Sequence, residues 1–135
     1  MLARTRASAY ADIGLETGVM SATPHQLIVM LFDGAQAALM KATWAIDNKD
    51  IALKGTSLSK AIRIIEEGLR ASLDKEQGGP LAEQLDSLYD YMSRELTKAN
   101  VRNDADAIRR VSALLSDISG AWKEIGQTVD GAVYS

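Results

Sequence analysis

Between Ile108 and Ile125 the chain places Ile108, Val111, Leu115, Ile118, Trp122 and Ile125 at alternating steps of three and four residues without a break. That spacing keeps one side of an α-helix apolar from end to end, and no strand period fits it. It is also the spacing by which helices of left-handed bundles interdigitate, so the remaining chain has to supply further helices to cover the stripe.

Three more stretches do so. Thr23-Pro24 reads as an N-cap followed by proline at the first helical position, where a missing N–H and a fixed φ cost nothing. The helix it opens runs to about Asn48, with Leu27, Leu31, Ala35, Ala38, Ala42 and Ile46 as one stripe and Ile28, Phe32 and Leu39 as a second beside it. A polar turn from Asp47 to Asp50 follows, with Asp50 placed to cap a helix carrying Ile51, Leu58, Ile62, Ile65, Leu69 and Leu73. Gly78-Gly79-Pro80 is the strongest breaker in the chain, and a third helix follows it through Leu81, Leu85, Leu88, Met92, Leu96 and Ala99, with Asn100 as its C-terminal cap. Asn103 and Asp106 then resemble a capping box, with Asp in place of Glu, at the head of the fourth helix.

Four long helices with short connections predict an all-α fold, an antiparallel up-down-up-down four-helix bundle spanning 24–126. Residues 1–23 are too apolar for a solvated tail, yet Gly14 and Gly18 interrupt any long helix there, so a short helix or segment packed on the bundle surface is expected. Residues 127–135 lose periodicity and are expected to fray.

Composition narrows the function. At 135 residues, 47% hydrophobic and without cysteine, one self-sufficient core is expected, and disulfide frameworks, zinc fingers and thiol nucleophiles are excluded. A formal charge of −3, with seven charges of each sign in the first 67 residues, leaves no basic stripe for nucleic acid. The longest apolar run, Leu27 to Phe32, is too short for a membrane span, and a secretory signal is not apparent, so a cytoplasmic protein is expected.

Catalytic chemistry finds no foothold. A di-iron bundle needs Glu-x-x-His on two helices, whereas the lone histidine, His25, has no Glu three residues before it and reads as a surface residue in a first helical turn. P-loop, Gly-x-Ser-x-Gly and dinucleotide fingerprints are absent. Asp86 and Asp90 share a helix face, but Arg94 four residues on makes an exposed ion-pair row the simpler reading; Glu66-Glu67 beside Arg63 and Arg70 reads the same way. Tyr89 and Tyr91 read as boundary residues of the third helix. No enzyme, metal or cofactor is expected.

What stands out is surplus apolar surface. Beyond the seams lie Ile28, Phe32 and Leu39, Ile64, and the flank Ala107, Leu114 and Ala121. Any part left open would form a groove between helices, suited to the apolar face of a partner's amphipathic helix.

Several stretches resemble the flagellar secretion chaperone family FliS. They are AYADIGLETGVMSATPHQLIVMLFDGA from Ala9, KGTSLSKAIRIIEEGLRASLDKEQGG from Lys54, LYDYMSRELTKANVRNDADAI from Leu88, and the segment around Trp122. The likeness covers 8–125 in one register, with PHQLIVMLFDGA and YDYM…AN-x-RND as its specific elements. The resemblance implies a non-catalytic cytosolic bundle that holds the disordered C-terminal region of flagellin, prevents premature polymerisation, keeps it competent for type III export and, when loaded, meets the export gate. It further implies that the N-terminal segment covers apolar surface until the client displaces it, with Tyr10 at a position tied to function. Ala7 stands where relatives can carry a larger aliphatic residue, which suggests a weaker cover here. On this basis the client-binding candidates are Tyr10 and Ile13 from the cover, Ile28, Phe32 and Leu39 from the first long helix, and Leu114 from the fourth. Asn100, Asn103 and Asp104 match the family's polar turn as helix caps, with docking as a second role. A monomer is expected. The alternative is a structural or regulatory bundle that buries its surplus in a homodimer.

Overall fold

A computed structural model describes residues 21–125 and 133–134. Expectations for 1–20, including Tyr10, Ile13 and the cover, lie outside the described residues, as do 126–132 and Ser135. The described chain forms four long helices: α1 (Pro24–Asp47), α2 (Ile51–Arg63) continued by a π-helical segment (Ile64–Arg70), α3 (Lys75–Arg102) and α4 (Ala105–Ile125). Short connections make successive helices antiparallel neighbours. α1 packs against α2 and α4, and α3 closes the ring against α2, the π-helical segment and α4. The all-α bundle expected from the periodicity is the fold observed.

Local chemistry sets most helix starts. The Thr23 hydroxyl accepts from the Gln26 backbone N–H (3.1 Å) while the Gln26 side-chain oxygen accepts from the Thr23 N–H (2.8 Å), a reciprocal capping box. Asp50 and Asp74 accept from Leu53 and Gln77 N–H groups in the same way, at 3.1 and 3.0 Å.

Three boundaries depart from expectation. α3 begins at Lys75, ahead of the breaker: Gly79 at φ 51° and ψ −132° kinks the element, after which Pro80 restarts it. Its far end runs past Asn100 to Arg102, and the cap is Asn103 in the left-handed region (φ 54°), where asparagine replaces glycine at low cost. The α4 cap therefore falls to Asp104, whose carboxylate accepts from Ala107 N–H at 3.0 Å, and the expected box of Asn103 with Asp106 does not form.

The π-helical segment was not foreseen. The Ala71 N–H reaches back five residues to the Glu66 carbonyl, and the wider turn keeps Ile64, Ile65, Gly68 and Leu69 all buried. Gly68 sits hard against α1, since a Cβ there would lie 2.6 Å from Leu31 Cδ2.

Beyond α4, Val133 and Tyr134 are described, and both are held. Tyr134 is buried, bridges Leu73 in antiparallel fashion and sets its ring edge-on to Trp122. For Val133 and Tyr134 the expectation of fraying is therefore corrected: an aromatic side chain found an apolar slot.

Candidate functional site

The second stripe of α1 is not open. Ile28, Phe32 and Leu39 are 3%, 0% and 1% exposed, and Ile64 and Ala107 are buried with them. α1 lies between two neighbours, α2 on one flank and α4 on the other, so a broad arc of its surface is enclosed rather than a narrow seam. Of the surplus named from sequence, Leu114 is half-buried at the core margin and Ala121 is exposed.

Different residues carry the open apolar surface. Met40 and Trp44, one turn apart on the outer face of α1, are 71% and 55% exposed. Ile51 at the head of α2 and Val101 near the end of α3 are exposed too, as are Leu81 and Tyr91. Leu81 was expected in the α3 stripe, but Ala82 takes the buried position; Tyr89, expected at a boundary, is fully buried. A groove of about 360 Å³ does run between α1 and α2. Its floor is small, with Gly34, Ala37 and Ala38 facing Leu53, Thr56 and Ser57, and Lys41 and Lys60 on its rim. Half-buried Leu85, Leu88, Leu114, Ile118 and Ile125 form a further apolar margin on α3 and α4.

The polar contacts of the bundle hold helices together. His25 Nε2 lies 2.9 Å from the Trp122 carbonyl oxygen, the Trp122 indole N–H donates to the His25 carbonyl (3.2 Å), and the rings stack at 4.7 Å. His25 is thus in a first helical turn as expected, but it is half-buried and pins α1 to the end of α4. Gln36 and Ser112 exchange hydrogen bonds between the same two helices. Lys54, nearly buried, donates to the Asn100 carbonyl (2.8 Å) and to Asn103 Oδ1 (2.5 Å), tying α2 to the last turn of α3. Asn100 and Asn103 therefore act together at this junction, with Asp104 capping the next helix.

Arg70 gathers the acidic residues. It donates to Asp86 (2.8 Å), Glu66 (3.0 Å) and Asp90 (3.2 Å); the expected pairs Arg94–Asp90, Arg63–Glu67 and Arg70–Glu66 all form, and Arg70 in addition joins them across helices to Asp86 and Asp90. The hydrogen bond to Asp86 is the main reason the guanidinium is held more firmly charged than usual, and the same bond holds the Asp86 carboxyl below its ordinary range. Burial raises Tyr89, and pushes Tyr134 up to about 12. Each of these shifts has a structural partner or a buried setting as its cause. Among the described residues no group of three or more His, Asp or Glu side chains could hold a metal ion, and no helix is long and apolar enough to cross a membrane.

A small helical bundle with apolar side chains left on its outer faces, and with its charged clusters committed to joining helices, belongs to the class of interaction proteins. Comparison with known proteins narrows that class. Residues 6–129 match the family model described as flagellar protein FliS. The chain is 56% identical over 117 residues to the flagellar secretion chaperone FliS of Salmonella typhimurium, covering 87% of each chain. It is 50% identical over 124 residues to the protein of the same name from Escherichia coli, covering 92% of this chain and 91% of that one. A Bacillus subtilis relative of that name is 34% identical over 113 residues, covering 84% and 83%. The chain belongs to the FliS family.

Proposed function

We propose that this chain is a cytoplasmic export chaperone that binds the C-terminal region of flagellin, prevents its premature polymerisation and hands it to flagellar type III secretion. The observation that carries this is identity of 50–56% along nearly the whole chain to proteins named flagellar secretion chaperones. The physics is coherent with it. A segment that must bury an apolar face in a filament is sticky when alone, and covering it on a bundle surface blocks that step. Ordering a disordered client costs about 2–5 kcal/mol of the gross interaction energy, which keeps the complex releasable. The chaperone acts stoichiometrically as a monomer and, when loaded, meets the export gate.

For the contact surface we put Met40 and Trp44 forward as direct contacts, with Leu114 on the half-buried margin of α4. Ile28, Phe32 and Leu39 are enclosed, so they support the surface from behind unless the client opens the bundle. Tyr10 and Ile13 keep their proposed part as a cover displaced by the client.

The test is to titrate the chain with a peptide from the C-terminus of the cognate flagellin, following circular dichroism and heat. A gain in helix that saturates at a one-to-one ratio is expected. No heat and no gain overturns the reading.

A further inference from the structure

The last turn of chain that the structure describes occupies a slot of its own. Asp74 N–H donates to the Val133 carbonyl at 2.7 Å, and Leu73 and Tyr134 pair as an isolated antiparallel bridge. The Tyr134 ring is 8% exposed and meets Trp122 edge-on at 5.1 Å. Its hydroxyl hydrogen-bonds the hydroxyl of Tyr89, a side chain with no exposure on α3 whose polar tip has this one partner among the described residues. Three different kinds of recognition thus converge on two residues: a strand-type backbone pair, an aromatic edge contact and a buried phenol. Backbone pairing with pockets for particular side chains is how extended peptides are read by folded domains.

We infer that the cleft between Leu73 and Asp74, Tyr89 and Trp122 is a peptide-binding slot for an extended segment bearing an aliphatic–tyrosine pair, which the chain's own Val133–Tyr134 fills until such a segment from a partner protein replaces it. Among the described residues the tail holds through Val133 and Tyr134 alone, by one bridge, one ring contact and one hydrogen bond between phenols, so its local release costs less than unfolding of the bundle. It remains attached to α4, and a short tether presents it at an effective concentration on the order of mM, which sets the level a competitor has to beat. The inference does not depend on the chaperone reading, because the slot is built from Tyr89 in the middle of α3, Trp122 near the end of α4 and the turn before α3, and uses none of Met40, Trp44 and Leu114.

The experiment uses the full-length chain and a fluorescein-labelled peptide of its own last seven residues, VDGAVYS, with binding followed by anisotropy. Two tail-releasing variants are compared with the wild type: Tyr134→Ala, which empties the ring pocket, and Val133→Asp, which sets a carboxylate beside Asp74. Both should bind the peptide at least tenfold more tightly than the wild type does, while keeping its helical circular dichroism. A peptide with its tyrosine replaced by alanine should lose binding to all three. Equal affinity for wild type and a helical variant, or no binding to either helical variant, overturns the proposal. So does a dimer in sedimentation equilibrium that Tyr134→Ala abolishes, since the slot would then serve a second copy of this chain. The flagellin titration can fail without touching any of these outcomes.

Discussion

Gly68 shows how much one missing methyl group can matter. The π-helical segment brings its backbone against Leu31, which has no exposed surface. Adding a Cβ at 2.6 Å from Leu31 Cδ2 forces a shift in a close-packed interior, so Gly68→Ala is expected to destabilise the chain by about 1–3 kcal/mol in urea denaturation. Leu31→Val in the same chain should return part of that loss, a coupling that a double-mutant cycle measures directly. Tyr134 yields a second prediction, in pH. Its phenol is held neutral by burial, with the folded value pushed up to about 12 from an ordinary 10.0. A group raised on folding contributes its full stability below the unfolded value and loses it as pH climbs through the folded one. Tail docking should therefore be intact below pH 10 and weaken between about 10 and 12, seen as tyrosinate absorbance at ~295 nm rising together with Trp122 exposure to a quencher. Some residue roles were legible beforehand: Thr23 and Asp50 cap helices because a side-chain oxygen serves the N–H groups two or three residues on, a purely local rule. Asn103 was not, since asparagine suits both an N-cap and a left-handed C-cap. Lys54, far off in sequence, holds the second arrangement in place.

At the scale of elements, the join between the π-helical segment and α3 is electrostatic. Arg70 holds Glu66, Asp86 and Asp90 together, and Ser93 donates to the other oxygen of Glu66 at 2.7 Å. Removing the cation would leave three carboxylates facing one another. Hydrogen bonds to charged groups contribute about 1.5–3 kcal/mol when shielded and much less when exposed; with the Arg70 side chain 29% exposed, Arg70→Met should cost about 1–2 kcal/mol at neutral pH. Asp86 sets the pH dependence. Its folded value is depressed, so the stability it contributes is present above its ordinary value near 3.8 and is lost as pH falls through the lower folded value. The difference between wild type and Arg70→Met in urea midpoints should then shrink steadily as pH drops below 3.8. A difference unchanged down to pH 2 would mean the guanidinium acts through packing alone. The apolar spacing announced four helices, but it could not announce the π turn: both Ile64-Ile65 and Gly68-Leu69 are buried as adjacent pairs, a pattern that an ordinary helix with neighbours on two sides also produces. The cross-helix reach of Arg70 was hidden for a related reason, as Glu66 and Asp90 each have a plausible partner within their own helix, Arg70 and Arg94.

For the whole molecule, the question is which apolar side chains hold the bundle and which are left to meet something else. Spacing along α1 marks Ile28, Phe32 and Leu39 as a second stripe, yet the number of neighbours a helix acquires is a tertiary property, and with α2 and α4 both against α1 that stripe closes. Met40 and Trp44 fall outside the enclosed arc and stay open. The two groups should separate cleanly in experiment. Phe32→Ala empties a fully buried site and is expected to cost about 3–5 kcal/mol of stability, lowering the unfolding midpoint before any client is added. Trp44→Ala removes a half-exposed ring and should leave stability within about 0.5 kcal/mol of wild type, because surface changes away from caps and networks do little. Against a flagellin C-terminal peptide the order reverses in meaning. An indole buried by a partner is the kind of side chain on which binding energy concentrates, so Trp44→Ala should weaken the titration by about 1.5 kcal/mol, roughly tenfold, in a chain that is otherwise as stable as before. Trp44 emission in the wild type should also become shielded from iodide as the peptide binds, while Trp122, already enclosed, reports no change. If Trp44→Ala bound the peptide as tightly as wild type, the outer face of α1 would be ruled out, and the half-buried margin of Leu114, Ile118 and Ile125 would be the next surface to substitute.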